Sequence, residues 1–308
     1  MNLKIVLFIL IVLSVLCTSL IAAVVIIKLI QLGRESKRNN VTKNIKPILN
    51  RLLSEETAVF HENQKIEISK LAGKLKDKLS LQTLENILLD ILENAEEETA
   101  SRALIIANHF EFPQNCLLMI RSRLMDNIAI GCCKAGLYKF RDAIPCILKS
   151  LDIFSSSIQL EALMALSRIG DTGALVQAFD KIHRLIFVNE RAISEIIKAF
   201  SGEQLELYKK MIRHESNYLV RLFLKAIDRE TANKLMNDII SIFKKGDKET
   251  RLACIIAIGK SGNREEIPLL IQALSDKEWE IRAMAVKILG VLKSPKAIMH
   301  IKKAACDR

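Results

Sequence analysis

Two His-Glu pairs, His61-Glu62 and His214-Glu215, are the residues in this chain best suited to holding a metal. An imidazole beside a carboxylate supplies two ligands, but a metal centre needs several such groups converging on one ion. One repeat length before His214 stands His183, yet Arg184 follows it where a carboxylate would be needed. Lys245 stands one repeat length after His214, and His61 has no partner at that spacing. The pairs therefore read as surface histidines, and neither a metal nor another cofactor is expected. GKSGN at 259–263 has part of a phosphate loop's wording but lacks its upstream glycine. No GxxxxGK[ST], GxGxxG after a strand, GxSxG or HExxH occurs, so no catalytic residue is expected. The acidic run Glu93–Glu98 reads as a solvated helix end. The seven cysteines (17, 116, 132, 133, 146, 254 and 306) form no CxxC and read as small buried hydrophobes in a reducing compartment. Trp279, the only tryptophan, suits either an interface anchor or burial against a neighbouring element.

The elements that carry these residues repeat. Arg251 and Arg282 hold the same place in two successive copies of one unit, and each opens an apolar run. Cys254, Ala257, Ile258 and Gly259 follow the first; Ala285, Ile288, Leu289 and Gly290 follow the second. A second apolar run closes each copy, at Ile267–Leu274 and Ile298–Ala305. Arg221 and then Arg191 extend the phase upstream by nearly the same step, and Gln159 takes the next equivalent place. Helix, turn and helix, recurring about every thirty residues, is the pattern of an α-solenoid. Pro47, Pro113, Pro145 and Pro268 each precede an apolar run, and the gaps between them are near two, one and four repeats. Proline suits the first turn of a helix, where its missing N–H would go unpaired anyway. On this phase the array reaches back to Ile45, which allows about eight helical hairpins over 45–308. Its last helix, Ala297–Cys306, ends in Lys302, Lys303, Asp307 and Arg308 and reads as a polar cap.

Arginine, then small residues, then Ile-Gly or Leu-Gly, resembles the HEAT repeat, most closely the HEAT-like variant first named from phycobilisome lyases. The resemblance implies that the recurring arginine pairs with an acidic side chain in a turn or neighbouring repeat. Deoxyhypusine hydroxylase is similar in architecture and holds two irons through His-Glu pairs in consecutive repeats. Four pairs would be needed, and this chain has two unrelated ones. The variant's name also suggests bilin handling, but the repeat is not diagnostic of that activity, and an anchor departs from those lyases' soluble form.

Ahead of the array, Ile5 to Ile27 is a run without a single charge. As a helix it covers about 34 Å, enough for the ~30 Å hydrocarbon layer. A cleaved signal peptide has a shorter apolar core, preceded by the basic cluster. A lipoprotein signal at Cys17 would want a small residue where Leu16 stands. Residues 1–32 thus read as a transmembrane anchor and 33–44 as a basic juxtamembrane linker. Lys28, Arg34, Lys37, Arg38, Lys43 and Lys46 follow the run, against Lys4 before it. That asymmetry places the C-terminal part in the cytoplasm, as a single-pass protein of the cell membrane.

Half the residues are hydrophobic and only 5% aromatic, with 11 Gly and 5 Pro, too little turn chemistry for a sandwich or barrel. The fold expected is all-α. The net charge of +11 admits nucleic acid, but much of the excess sits beside the apolar run, so no nucleic acid is expected. The function expected is a membrane-tethered, non-enzymatic scaffold binding a protein partner, itself membrane-associated. The alternatives are a metal-dependent enzyme on the same solenoid, or a basic solenoid binding nucleic acid or anionic lipid.

Overall fold

A computed structural model describes residues 3–54, 63–75, 77–182 and 190–306 of the 308. Among the described residues every regular element is helical, as the composition required. The chain forms two compact units, Met1–Phe112 and Pro113–Arg308.

The first unit holds α1 (Leu3–Ser54), α2 (Asn63–Lys74), α3 (Lys78–Asn94) and α4 (Glu97–His109). α1 is one continuous helix of 52 residues. The stretch 33–44, expected as a basic juxtamembrane linker, is helical and forms the middle of α1, where Thr42 donates its hydroxyl to the Arg38 carbonyl at 2.9 Å. A helix exposed on nearly all sides needs no apolar stripe, so periodicity could not reveal it. One expectation is corrected: Pro47 does not start a helix but lies inside α1. An interior proline costs about 3 kcal/mol through the missing N–H and its crowding of the carbonyl four residues back. Ile45, Leu49 and Leu52 are nearly wholly buried around it. At about 1.5–3 kcal/mol each, their burial outweighs the cost. The lower end of α1 touches α2, α3 and α4, so residues 45–109 form a bundle around it. Arg102 on α4 clamps this bundle by donating to the Leu53 carbonyl and to Glu98.

The second unit is a stack of hairpins. α5 (Phe112–Ile120) leads into it. The first helices are α6 (Met125–Leu137), α8 (Ser156–Ile169), α10 (Glu190–Lys198), α12 (Asn217–Ala226), α15 (Lys248–Ser261) and α17 (Trp279–Val291). Their partners are α7 (Ile144–Ser150), α9 (Thr172–Ile182), α11 (Gln204–Met211), the broken pair α13 (Arg229–Lys234) and α14 (Met236–Lys245), α16 (Ile267–Ala273) and α18 (Ile298–Cys306). Each first helix touches the next first helix, and α7, α9 and α11 touch in turn. This is the two-layer order of a solenoid. A first helix is covered by two neighbours and by its own partner. α8 and α15 are accordingly buried on most sides, at Ile158, Ala162, Leu163 and Leu166 and at Ala253, Cys254, Ile255 and Ile258. In mid-stack, Phe223 stands edge-on to both Phe179 and Tyr208 at 5.5 Å. Such pairs add about 0.5–1.5 kcal/mol beyond burial.

Small residues set how closely the first helices approach. A Cβ added at Gly136 would come within 2.6 Å of the Ala165 Cα, and one at Gly259 within 2.7 Å of Ile288. Pro113, Pro145 and Pro268 each occupy the second position of a helix, and Pro295 opens a 3-10 turn before α18. The expected polar finish is only partial, because Ile298 and Met299 on α18 are exposed.

Candidate functional site

Two of the recurring arginines join consecutive hairpins. Arg251 on α15 grips Asp276, in the turn before α17, with Nε at 3.2 Å and Nη2 at 3.0 Å, and donates Nη1 to the Gly246 carbonyl at 3.2 Å. Only 15% and 14% of the two side chains are exposed. Arg221 on α12 reaches Asp247, the N-cap of α15, by one contact of 3.5 Å. Arg282 on α17 turns to its own hairpin and donates to the Asp276 and Lys277 carbonyls. Among the described residues Arg191 pairs with Glu195 on its own helix and stays exposed. The pairing implied by the HEAT-like wording thus holds in full at one rung, weakly at a second and, among the described residues, not at the other two. The acidic partners were missed from sequence, although Asp-Lys-Glu occurs at both 247–249 and 276–278, just before a first helix. A further rung, Lys248 to Glu280 at 2.6 Å, lies beside them; the ammonium holds the Glu280 carboxyl below its usual range.

Of the residues that could have held a metal, His214 does something else. His61, Glu62 and His183 lie outside the described residues. The His214 Nδ1 accepts the Ser216 backbone N–H at 2.9 Å, which leaves the proton on Nε2, 2.5 Å from Asp180 Oδ1. Asp180 lies on α9, so this imidazole ties one hairpin to the next with both nitrogens engaged. Among the described residues no group of three or more His, Cys, Asp or Glu is placed to hold a metal ion. GKSGN is the end of α15: Gly262 takes the left-handed conformation (φ 67°) that ends the helix, and the Ser261 carbonyl accepts from Arg229 and Asn233 of the preceding hairpin. Residues 93–98 are exposed around the α3–α4 junction, where Glu98 meets Arg102.

Cys116, Cys132 and Cys254 are buried as free thiols, Cys133 and Cys146 are half-buried and Cys17 is exposed. Burial pushes the Cys132 thiol up to about 11 and the Cys254 thiol up to about 12, so neither is a nucleophile at neutral pH. Trp279 is 66% exposed, which excludes burial against a neighbouring hairpin and leaves its indole free as an anchor.

On α1 the apolar residues Leu16, Leu20, Ile21, Val24, Ile27 and Leu29 are all exposed by half or more. Together with Leu13, Val25, Ile26, Ile30 and Leu32, also exposed, they face all round the helix, and no described residue of the first unit covers them. Among the described residues this is the one helix long and apolar enough to cross a membrane. Just beyond it, α1 and α3 bound a groove of about 680 Å³ with Leu49, Leu53 and Ile87 in its walls. Arg38 and Lys46 also line it, but Glu35 and Asp90 balance them, so the groove carries no net charge. It has no electrostatic preference for an anion.

A family model described as HEAT repeats matches residues 236–307, which span α14 to α18 and include both copies of the repeat read from sequence. No curated protein matches the chain. Stacked repeats of this kind build helical scaffolds with extended surfaces for protein interaction, and the match supports that role for this stretch.

Proposed function

We propose that the chain is a membrane-tethered, non-enzymatic scaffold, with α1 as a single-pass anchor and the hairpin stack as a cytoplasmic surface that docks a membrane-associated protein partner. One observation carries the reading: from Leu16 onward the apolar stretch of α1 is exposed all the way round, and water would have to solvate it. Each exposed Leu, Ile or Val side chain costs about 1.5–3 kcal/mol relative to burial, so a run of them calls for another solvent. Lys28, Arg34, Lys37 and Arg38 follow that stretch on the same helix and favour the cytoplasmic side for what comes after. Tethering would raise the local concentration of the stack around partners in the same membrane. The HEAT repeats matched over 236–307 support docking.

The test is extraction and topology. The full chain should stay with membranes through an alkaline carbonate wash, and a chain lacking residues 5–27 should be released. Protease added outside intact cells should leave the hairpin stack uncut. Recovery of the full chain in the soluble fraction removes the anchor, and cleavage from outside reverses the orientation. Replacing Trp279 with alanine should reduce crosslinking to a membrane protein captured by the full chain; unchanged capture removes Trp279 from the docking surface.

A further inference from the structure

A second cavity, of about 630 Å³, opens between the turns that precede α16 and α18. Arg264, Lys293, Lys296 and Glu265 line it, and none of the four side chains makes an ion pair among the described residues. Three cations against one carboxylate leave two uncompensated positive charges. Ile267, Pro268, Ile271 and Pro295 supply its apolar walls.

Two further features are local to this cavity. Ser294, which also lines it, is only 8% exposed, and its hydroxyl has no hydrogen-bond partner among the described residues. One repeat earlier Asn263 holds the equivalent place and caps its 3-10 turn by accepting the Glu265 N–H at 3.0 Å. Ser294 makes no such bond. A buried hydroxyl without a partner is unfavourable, and a ligand atom supplies the missing bond after a turn about χ1. The second feature is Lys293, which has φ 48°, a left-handed conformation that the equivalent Gly262 adopts at φ 67° without cost. From one repeat to the next, Gly262 and Glu265 give way to Lys293 and Lys296. The last hairpin therefore carries cations at one strained and one formerly acidic position, both facing one cavity.

We propose that this cavity binds a phosphate ester with an apolar body. A phosphate monoester carries about −1.5 to −2 charges at pH 7, which matches the excess of two. Its oxygens accept from Arg264, Lys293, Lys296 and the Ser294 hydroxyl, and the organic part lies on the isoleucines and prolines. The volume falls in the range of small-molecule sites. The same chemistry is offered by a soluble phosphate monoester and by the monoester headgroup of a phosphatidic acid. The site stands whether or not α1 is an anchor.

Calorimetric titration of the full chain in neutral detergent micelles tests it, with three probes: inorganic phosphate, phenyl phosphate and short-chain phosphatidic acid. Phenyl phosphate or phosphatidic acid should bind more tightly than inorganic phosphate, and whichever is tighter identifies a soluble ester or a lipid as the source. Arg264→Ala should weaken binding by about tenfold, the loss of one charge-assisted contact. Lys293→Gly should weaken it similarly while raising Tm, because glycine relieves the backbone. Lys139, exposed and in the same left-handed conformation (φ 50°) at the end of α6, is the control: Lys139→Gly should raise Tm and leave binding unchanged. The proposal is overturned by no uptake of any probe, by inorganic phosphate binding as tightly as both esters, or by equal weakening from Lys139→Gly and Lys293→Gly.

Discussion

Arg221 and Arg251 occupy the same phase of the repeat, yet replacing them with alanine should have unequal effects. Arg251→Ala removes two charge-assisted bonds to Asp276 and one to the Gly246 carbonyl. Asp276 is left with the Glu278 N–H at 3.0 Å as its remaining side-chain contact, in a site from which water is largely excluded. Breaking a fully buried pair costs about 3–5 kcal/mol, and the residual exposure here brings the expected loss to about 3 kcal/mol. Arg221→Ala removes one contact of 3.5 Å to a carboxylate that is 48% exposed, worth less than about 1 kcal/mol. For a unit of this size each kcal/mol lowers Tm by about 2–4 °C, so the losses should be roughly 9 °C and under about 4 °C. The assay is thermal and urea unfolding of the full chain in detergent, followed by far-UV circular dichroism. A double-mutant cycle with Asp276→Asn should return a coupling of about 2 kcal/mol. Equal losses from the two arginines, or a coupling below about 0.5 kcal/mol, would refute the assignment of Asp276 as the anchor of that rung.

Other substitutions follow from the same geometry. Gly259→Ala pushes a Cβ to 2.7–3.1 Å from three Ile288 carbons and should cost about 1 kcal/mol net, whereas Gly290→Ala, with nothing within 4 Å, should gain up to about 1 kcal/mol of helix propensity in the same melts. Lys139→Gly should stabilise by about 1 kcal/mol in urea unfolding, because glycine adopts φ 50° without the cost a side chain incurs. Acid should also destabilise the stack. Burial raises the Asp228 carboxyl, but bonds from the Thr231 N–H and hydroxyl, at 2.9 and 2.7 Å, outweigh it, and Lys248 depresses Glu280. Both groups bind protons less readily folded than unfolded. Their contribution is therefore complete above the unfolded values near pH 4 and is lost as pH falls through the lower folded values. Tm measured from neutral pH downward should drop below about pH 4, and Asp228→Asn should shallow that drop.

The repeat was legible in sequence because a stack is written in repeated letters. Arg251 and Arg282, each with a glycine at the same offset (Gly259 and Gly290), locate the first helices, and three prolines mark second positions of helices. Residues 45–109 were less legible because a bundle around one long helix imposes no fixed period. There Pro47 misled, since burial of its neighbours decides its place and proline propensity does not. The polar rungs were half legible. Each arginine could be seen, but whether it meets a carboxylate depends on how one turn overlies the next hairpin, and no spacing within one helix encodes that. The cationic cavity was illegible for the same reason: Arg264 and Lys293 belong to successive hairpins and become neighbours only through stacking.

The unbroken course of α1 has a mechanical consequence. At about 1.5 Å per residue its 52 residues form a rod of about 78 Å. One end is apolar and the other is the central post of a helical bundle. A flexible tether would let the bundle swivel freely, but a rod converts any tilt or rotation of its apolar end into torque on Leu49 and Leu52. The backbone can yield most easily at Pro47, where one intrahelical hydrogen bond is missing, so bending strain would concentrate within the turn around that residue.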